Sequence, residues 1–354
     1  MQQSKALIAM SGGVDSSVAA FLAVQDGYSC IGGTMLLYDS GDACGSSAAI
    51  DDARAVAERL GMPFHIFELT EKFRQCVIND FVSCYEKGLT PNPCIRCNRH
   101  LKFSAFLEKA KVLGCDHIVT GHYARIRKDE STGRFLLCKA ADAAKDQSYF
   151  LYAITQEQLQ QIRFPLGELT KEQVRAIAQA QGFINAKKRD SQDICFIPDG
   201  DYMAFLRKYT VKDYAPGDFL DTAGNKVGTH RGAVGYTLGQ RKGLGLAMGQ
   251  PVYVCGKDME KNTVTVGPEE ALFHKELRAN DWFFFPFSSL TEAMEVEAKT
   301  RSRMVQQPAT VYPEADGYCR VVFHQPQRAM TPGQAVVLYD GDVVIGGGTI
   351  TEVK

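Results

Sequence analysis

The sequence predicts an α/β fold: a parallel-sheet domain at the amino end, then two small β-rich domains, the last a β-barrel. Three observations predict it. Up to about residue 200, apolar strand-like runs alternate with amphipathic helical stretches, the pattern of a parallel sheet covered on both faces. Beyond about Phe205, glycines recur at short intervals and β-branched alternation replaces the helical period. A chain of 354 residues also exceeds one ordinary core, so domains are expected over 1–204, 205–272 and 273–354.

In order along the chain, strands are expected over 6–10, 31–37, 64–69 and His117–Thr120. A helix over 49–60 carries Ile50, Ala53, Val56, Ala57 and Leu60 on one stripe and stops at Gly61; Lys171–Ala180 repeats that logic before Gly182. In the second domain, Gly228-Thr229-His230-Arg231-Gly232 and Thr263-Val264-Thr265-Val266-Gly267 alternate as strands do. In the third, Ala309-Thr310-Val311-Tyr312, Cys319-Arg320-Val321-Val322-Phe323 and Ala335-Val336-Val337-Leu338-Tyr339 are strands spaced by turns, as in a small barrel.

Ser11-Gly12-Gly13-Val14-Asp15-Ser16-Ser17 lies between the first strand and a helix begun by Val18, Phe21 and Leu22. Glycines at a strand-to-helix junction let backbone N–H groups turn onto a phosphate, and the helix adds free N–H groups and its dipole. Ser16 and Ser17 add hydroxyl donors, and Asp15 is placed to hold a magnesium ion bridging phosphate oxygens. The loop is not a mononucleotide P-loop, since no lysine follows Gly12 or Gly13 within it.

Hydrophobic residues at 45% and charged ones at 23% describe a globular chain, and a net charge of −1 gives no global field for a polyanion. No run is long and apolar enough to span a bilayer and no basic-then-apolar signal opens the chain, so a cytoplasmic protein without membrane partners is expected. Eleven cysteines, an odd number, argue for free, catalytic or metal-binding thiols over a disulfide framework. Cys94 and Cys97, in Thr90-Pro91-Asn92-Pro93-Cys94-Ile95-Arg96-Cys97-Asn98, stand at a helix start where the dipole and Arg96 favour thiolate. A structural zinc site wants four ligands, and no second C-x-x-C exists in the chain, whereas a redox pair or two inert cysteines remain open on local pattern. Cys195, in Ser191-Gln192-Asp193-Ile194-Cys195-Phe196, is by itself a buried spectator.

The nucleotide loop resembles the PP-loop of the ATP pyrophosphatases, whose domain is of the adenine nucleotide alpha hydrolase-like kind. Together with the Pro-Asn-Pro stretch ending at Cys97, Gly121-His122-Tyr123-Ala124-Arg125, Lys145-Asp146-Gln147-Ser148, the Cys195 stretch and Gly235-Tyr236-Thr237-Leu238-Gly239-Gln240-Arg241-Lys242-Gly243, it resembles the bacterial-type tRNA-specific 2-thiouridylase family over nearly the whole chain. The resemblance implies ATP-dependent replacement of the carbon-2 oxygen of the wobble uridine of tRNA by sulfur. It implies that Ala9, Met10, Ser11, Gly12, Gly13, Val14, Asp15 and Ser16 cradle the phosphates, with Met35 by the adenine and Gly121 closing the pocket. It assigns catalysis to Cys97 and a persulfide, loaded by a sulfur-donor protein or sulfide, to Cys195. Contacts with tRNA are implied for Asn92, Pro93, Cys94, His122, Lys145, Asp146, Gln147, Ser302, Arg303 and Gln334, with Arg231, Arg241 and Lys242 as further positive charge; DNA is not an expected partner. The target base is expected to flip out of its stack.

One departure matters: many family members carry aspartate where this chain has Cys94. The triad Cys94, Cys97 and Cys195 then offers an alternative route, a [4Fe-4S] cluster with one iron open to sulfide. Tyrosine is common in the family where Ser302 stands, which removes a stacking ring. The rival functions are a PP-loop amide or amidine synthetase, which leaves the thiols idle, and a non-catalytic iron–sulfur or sulfur-carrier protein, which leaves the nucleotide loop idle. A tRNA methyltransferase would need a glycine-rich adenosylmethionine loop that the sequence does not show.

Overall fold

The computed structural model describes residues 3–38, 47–188 and 194–354. The first sheet is built from β1 (Lys5–Ala9), β2 (Ser29–Leu36), β3 (Phe64–Glu68), β4 (His117–Thr120) and β7 (Ile162–Arg163). Its order is β3-β2-β1-β4-β7 and every pairing is parallel. The central strand β1 is buried at Ala6, Leu7 and Ile8, which is why it reads as an unbroken apolar run. Helix α1 (Val14–Gln25) crosses back from β1 to β2, and α2 (Ser47–Arg59) from β2 to β3. On α2 the buried residues Ala49, Ala53, Val56 and Ala57 form the expected stripe.

The central module is a four-stranded sheet of β8 (Gly217–Leu220), β9 (Lys226–His230), β10 (Tyr253–Asp258) and β11 (Thr263–Gly267), in the order β10-β11-β8-β9. The helix Tyr202–Thr210, capped by the Asp201 carboxylate on the Ala204 N–H at 2.9 Å, leads into it and spans residue 204, where the sequence reading put its boundary.

The last domain is a closed barrel. Its strands β12 (Phe273–Phe284), β13 (Met294–Lys299), β14 (Gln307–Pro313), β15 (Cys319–Arg328), β16 (Ala335–Asp340) and β17 (Val343–Val353) run β12-β15-β14-β13-β16-β17, and a β12–β17 pairing shuts the ring. Two strands of the amino-terminal domain, β5 (Arg125–Lys128) and β6 (Phe135–Cys138), extend this sheet through the pairing of Cys138 with Val343. The sequence reading did not contain this hairpin. Arg134 fastens it by donating to the carbonyls of Phe285 at 2.6 Å and Phe287 at 3.0 Å, and Arg125 pairs with Asp342 at 2.9 Å.

One apolar cluster accordingly runs from Leu7, Met35 and Phe106 through Tyr149 and Tyr152 to Phe285, Val337 and Tyr339 of the barrel. Tyr149 is fully buried and its hydroxyl donates to the Ala335 and Thr300 carbonyls at 2.9 and 3.2 Å.

Candidate active site

Two helix starts and one turn make the site. In the first, Gly13 is the N-cap of α1 with no side-chain cap bond, so the opening amides of the helix are left to a ligand. The loop's carbonyls are occupied instead. That of Gly12 accepts from Asn185 Nδ2 at 3.1 Å and Lys188 Nζ at 3.3 Å, and that of Gly13 from the Ser16 and Ser17 hydroxyls at 3.0 Å each. Ser16 Oγ also accepts from the Ser11 N–H at 3.2 Å, which closes the loop on itself. Gly12 has φ +70°, and a Cβ there would lie 2.2 Å from the Ala49 carbonyl oxygen. No other residue fits.

Around this loop the expected nucleotide residues gather. Ala9 ends β1; Met10 donates its N–H to Gly33 at 2.9 Å, and its carbonyl accepts from Thr34 Oγ1 at 2.7 Å. Met35 is buried near the carboxyl end of β2, where ligands of open parallel sheets bind. Gly121 follows β4 and touches the α1 start so closely that a Cβ would stand 2.7 Å from the Asp15 carbonyl carbon. Val14 is buried as the first helical residue.

Asp15 is engaged. Both its oxygens accept from Lys171 Nζ, at 2.7 and 2.9 Å, and Oδ1 also accepts from the Tyr123 hydroxyl at 2.9 Å. Among the described residues no group of three or more His, Cys, Asp or Glu side chains could hold a metal ion. Asp15 therefore faces an ammonium where the sequence reading expected a magnesium ion.

In the second helix start, the Asn92 side chain caps the turn Pro93–Cys97 by accepting from the Ile95 N–H at 3.4 Å, with buried Pro93 at N1. Here the Ile95 amide is given to the cap and Pro93 has none to offer, so this helix start presents side chains. Arg96 is held by Asp80 at 2.7 Å. Cys94 is exposed, yet desolvation by surrounding atoms raises its thiol above the ordinary value while Lys102 opposes the shift. After Cys97 the chain widens into the π-helical stretch Asn98–Ala105, which carries Lys102, and Asn98 Nδ2 fixes it to the Phe150 carbonyl at 2.9 Å.

The turn carrying Cys195 follows residues 189–193, so Ser191, Gln192 and Asp193 of the sequence motif lie outside the described residues. Cys97 and Cys195 are half-buried and pack against the same apolar cluster. Phe196 fixes the Cys195 turn: its ring meets Phe81 edge-on at 5.3 Å, one residue from the Asp80 that holds Arg96. Cys94, Cys97 and Cys195 do not form a metal-holding group among the described residues, so they do not fit the [4Fe-4S] alternative as they stand.

The expected tRNA contacts divide by what else they do. Asp146 accepts from the Ala140 N–H, the Ser148 N–H and the Ser148 hydroxyl, at 3.0, 3.2 and 2.8 Å, and so shapes its own loop. Gln147 Oε1 accepts from the Tyr123 N–H at 3.0 Å. Gln334 reaches from the barrel to the Thr90 and Pro91 carbonyls at 2.9 and 3.1 Å, bracing the approach to Asn92. Lys145 is half-buried, its N–H on the Asp142 carbonyl at 3.0 Å. Ser302 is half-buried, whereas Arg303, Arg231, Arg241 and Lys242 are exposed.

His122 stands between the two helix starts. Nε2 accepts from Lys102 Nζ at 3.3 Å, which leaves Nδ1–H to donate to Thr120 Oγ1 at 2.7 Å. Burial first, and the Lys102 charge second, hold its pKa well below the ordinary histidine value, so the ring is neutral. The sequence reading missed Lys171, Tyr123, Asn185, Lys188 and Lys102. Lys102 and Lys171 lie on helices and Tyr123, Asn185 and Lys188 in turns or loops, settings with no local sign of a role, and they meet the site through long-range packing.

A family profile described as "tRNA methyl transferase HUP domain" matches residues 4–199; a second, "tRNA methyl transferase PRC-barrel domain", matches 203–268; a third, "Aminomethyltransferase beta-barrel domain", matches 274–350. A protein of Acetivibrio thermocellus named tRNA-specific 2-thiouridylase MnmA is 50% identical over 99% of this chain and 100% of its own length. One of the same name from Clostridioides difficile is 47% identical over 98% of each chain. A crystal structure of a 4-thiouridine synthetase–RNA complex with bound ATP is similar with a TM-score of 0.38 at 20% identity, over 55% of this chain and 45% of that one. Among the described residues no helix is long and apolar enough to cross a membrane.

Proposed function

This chain belongs to the tRNA-specific 2-thiouridylase family, and we propose that it uses ATP to replace the carbon-2 oxygen of the wobble uridine of tRNA by sulfur. The observation that carries the reading is the shared core. Met35, by the phosphate loop, and both Cys97 and Cys195 pack on the same extended apolar cluster, which supports bringing nucleotide chemistry and thiol chemistry into one domain core.

The carbonyl oxygen of uridine is a poor leaving group. When it attacks the α-phosphorus of ATP, pyrophosphate departs and the oxygen becomes part of AMP, a good one. The amides at the start of α1 receive phosphate charge during that step, while the Ser16 and Ser17 hydroxyls, which donate to the Gly13 carbonyl, hold the loop in shape. The terminal sulfur of a Cys195 persulfide then attacks carbon 2, and AMP leaves with the old oxygen. The Cys97 thiolate attacks Cys195 Sγ, the S–S bond to the transferred sulfur breaks, and 2-thiouridine is released while a Cys97–Cys195 disulfide forms. A dithiol reductant resets the pair, and a sulfur donor reloads Cys195. These steps need no iron–sulfur cluster, because the Cys195 persulfide carries the sulfur and the Cys97 thiolate releases it.

The test is to supply purified protein with tRNA, ATP and a persulfide donor. The expected result is AMP and pyrophosphate formation that needs tRNA, and 2-thiouridine seen by mass spectrometry. AMP formation indifferent to tRNA overturns the reading in favour of a small-molecule synthetase, and formation of ADP overturns adenylation chemistry altogether.

A further inference from the structure

The phosphate loop contains no lysine, yet a lysine reaches it from 156 residues away. Lys171 opens the helix Lys171–Ala180, directly after the cap Thr170, and its N–H donates to Asp142 Oδ2 at 3.0 Å. A cation at that position opposes the helix dipole, and this side chain is only 11% exposed. Stability alone gives little reason to bury an ammonium at the positive end of a helix. What the placement achieves is aim. Asp15 grips Nζ with both oxygens, the Tyr123 hydroxyl fixes Asp15, and the Tyr123 ring lies 5.9 Å from the same Nζ. The charge is thereby held against the first turn of α1, beside amides that have no side-chain cap.

We propose that Lys171 is the lysine of this nucleotide site, donating to the phosphate oxygens of ATP beyond the α-phosphate, and that Asp15 and Tyr123 are positioning residues that aim it. This rests on the ATP reading above. In it the residue expected to carry a metal ion carries an ammonium instead, so a fixed protein charge faces the pyrophosphate that must leave.

The test is isothermal titration of the full chain with ATP and with AMP, which shares the base and α-phosphate but lacks the other two. Wild type is expected to bind ATP more tightly than AMP. Lys171→Met is expected to weaken ATP by about thirtyfold, the scale of one charge-assisted hydrogen bond, and AMP by less than about threefold. Lys171→Arg should restore most of the ATP affinity. Should Lys171→Met not fold, because it strands the Asp15 charge, the double variant with Asp15→Asn carries neither charge and gives the same comparison. Parallel weakening of ATP and AMP, as a merely structural staple between helices predicts, overturns the proposal, and so does unchanged ATP affinity. Failure of wild type to bind ATP overturns the nucleotide reading and this inference with it.

Discussion

The nucleotide loop and the cysteine turn are both helix beginnings, and they are finished in opposite ways. At α1 the cap is a glycine with no side-chain bond, the loop's carbonyls are taken by Asn185, Lys188, Ser16 and Ser17, and backbone donors remain for an anion. At Pro93–Cys97 an asparagine satisfies the Ile95 donor and a proline deletes another, and the turn presents its side chains. Capping thus decides whether a helix end works through its backbone or through its residues.

The largest effect that can test this contrast is loss of a thiol. Cys97→Ser and Cys195→Ser should each lower 2-thiouridine formation by at least about a thousandfold, the scale of losing a nucleophile. If the two helix starts are separate devices, tRNA-dependent pyrophosphate release should persist in both variants. Next comes the loop itself. Gly12→Ala meets a backbone oxygen at 2.2 Å and a positive φ, and should cost about 2 kcal/mol or more, lowering ATP affinity at least tenfold in calorimetry. Alkylation of Cys94 by iodoacetamide should continue at its wild-type rate there. Slower alkylation would mean that the two starts are one mechanical unit.

The reciprocal change is smaller. Asn92→Ala removes a cap worth about 1 kcal/mol, lowering the melting temperature by a few degrees and slowing thiolation, with ATP affinity unchanged. The smallest effect concerns the histidine between them. His122 is neutral when folded and takes up a proton near pH 6.5 when unfolded, so the unfolded chain binds more protons below that value. Stability should be full above pH 6.5 and fall as pH drops below it. His122→Gln should flatten part of that slope in acid denaturation followed by circular dichroism; His100, His117 and His230, held low by burial in the same way, account for the remainder.

What the sequence showed and what it hid follow from range. The strands at β1, β2, β3 and β4 were found within one or two residues because each is an apolar run with glycine or proline punctuation nearby. The loop at residues 11–17 and the Pro-Asn-Pro turn were legible because their chemistry sits in consecutive residues. Lys171 and Gln334 were not. The first looks like any solvated helix lysine and the second like any strand-end amide, and only folding brings them to Asp15 and to the Thr90 carbonyl. Gln334 and Asp146 were expected as RNA contacts, and the structure adds an internal task for each that no local pattern announces. The β5–β6 hairpin was hidden for another reason: Arg125–Lys128 alternates weakly, and its partner strand β17 is more than 200 residues away.

That hairpin has a consequence for anyone dissecting the protein. Because β6 hydrogen-bonds to β17, the amino-terminal domain and the last domain complete a single sheet, and a fragment ending before residue 273 would carry β6 with a naked flank and Tyr149 without its acceptors. Exposed strand flanks recruit other chains. Such a fragment should precipitate where the full chain does not, and supplying the missing barrel as a separate polypeptide should rescue it.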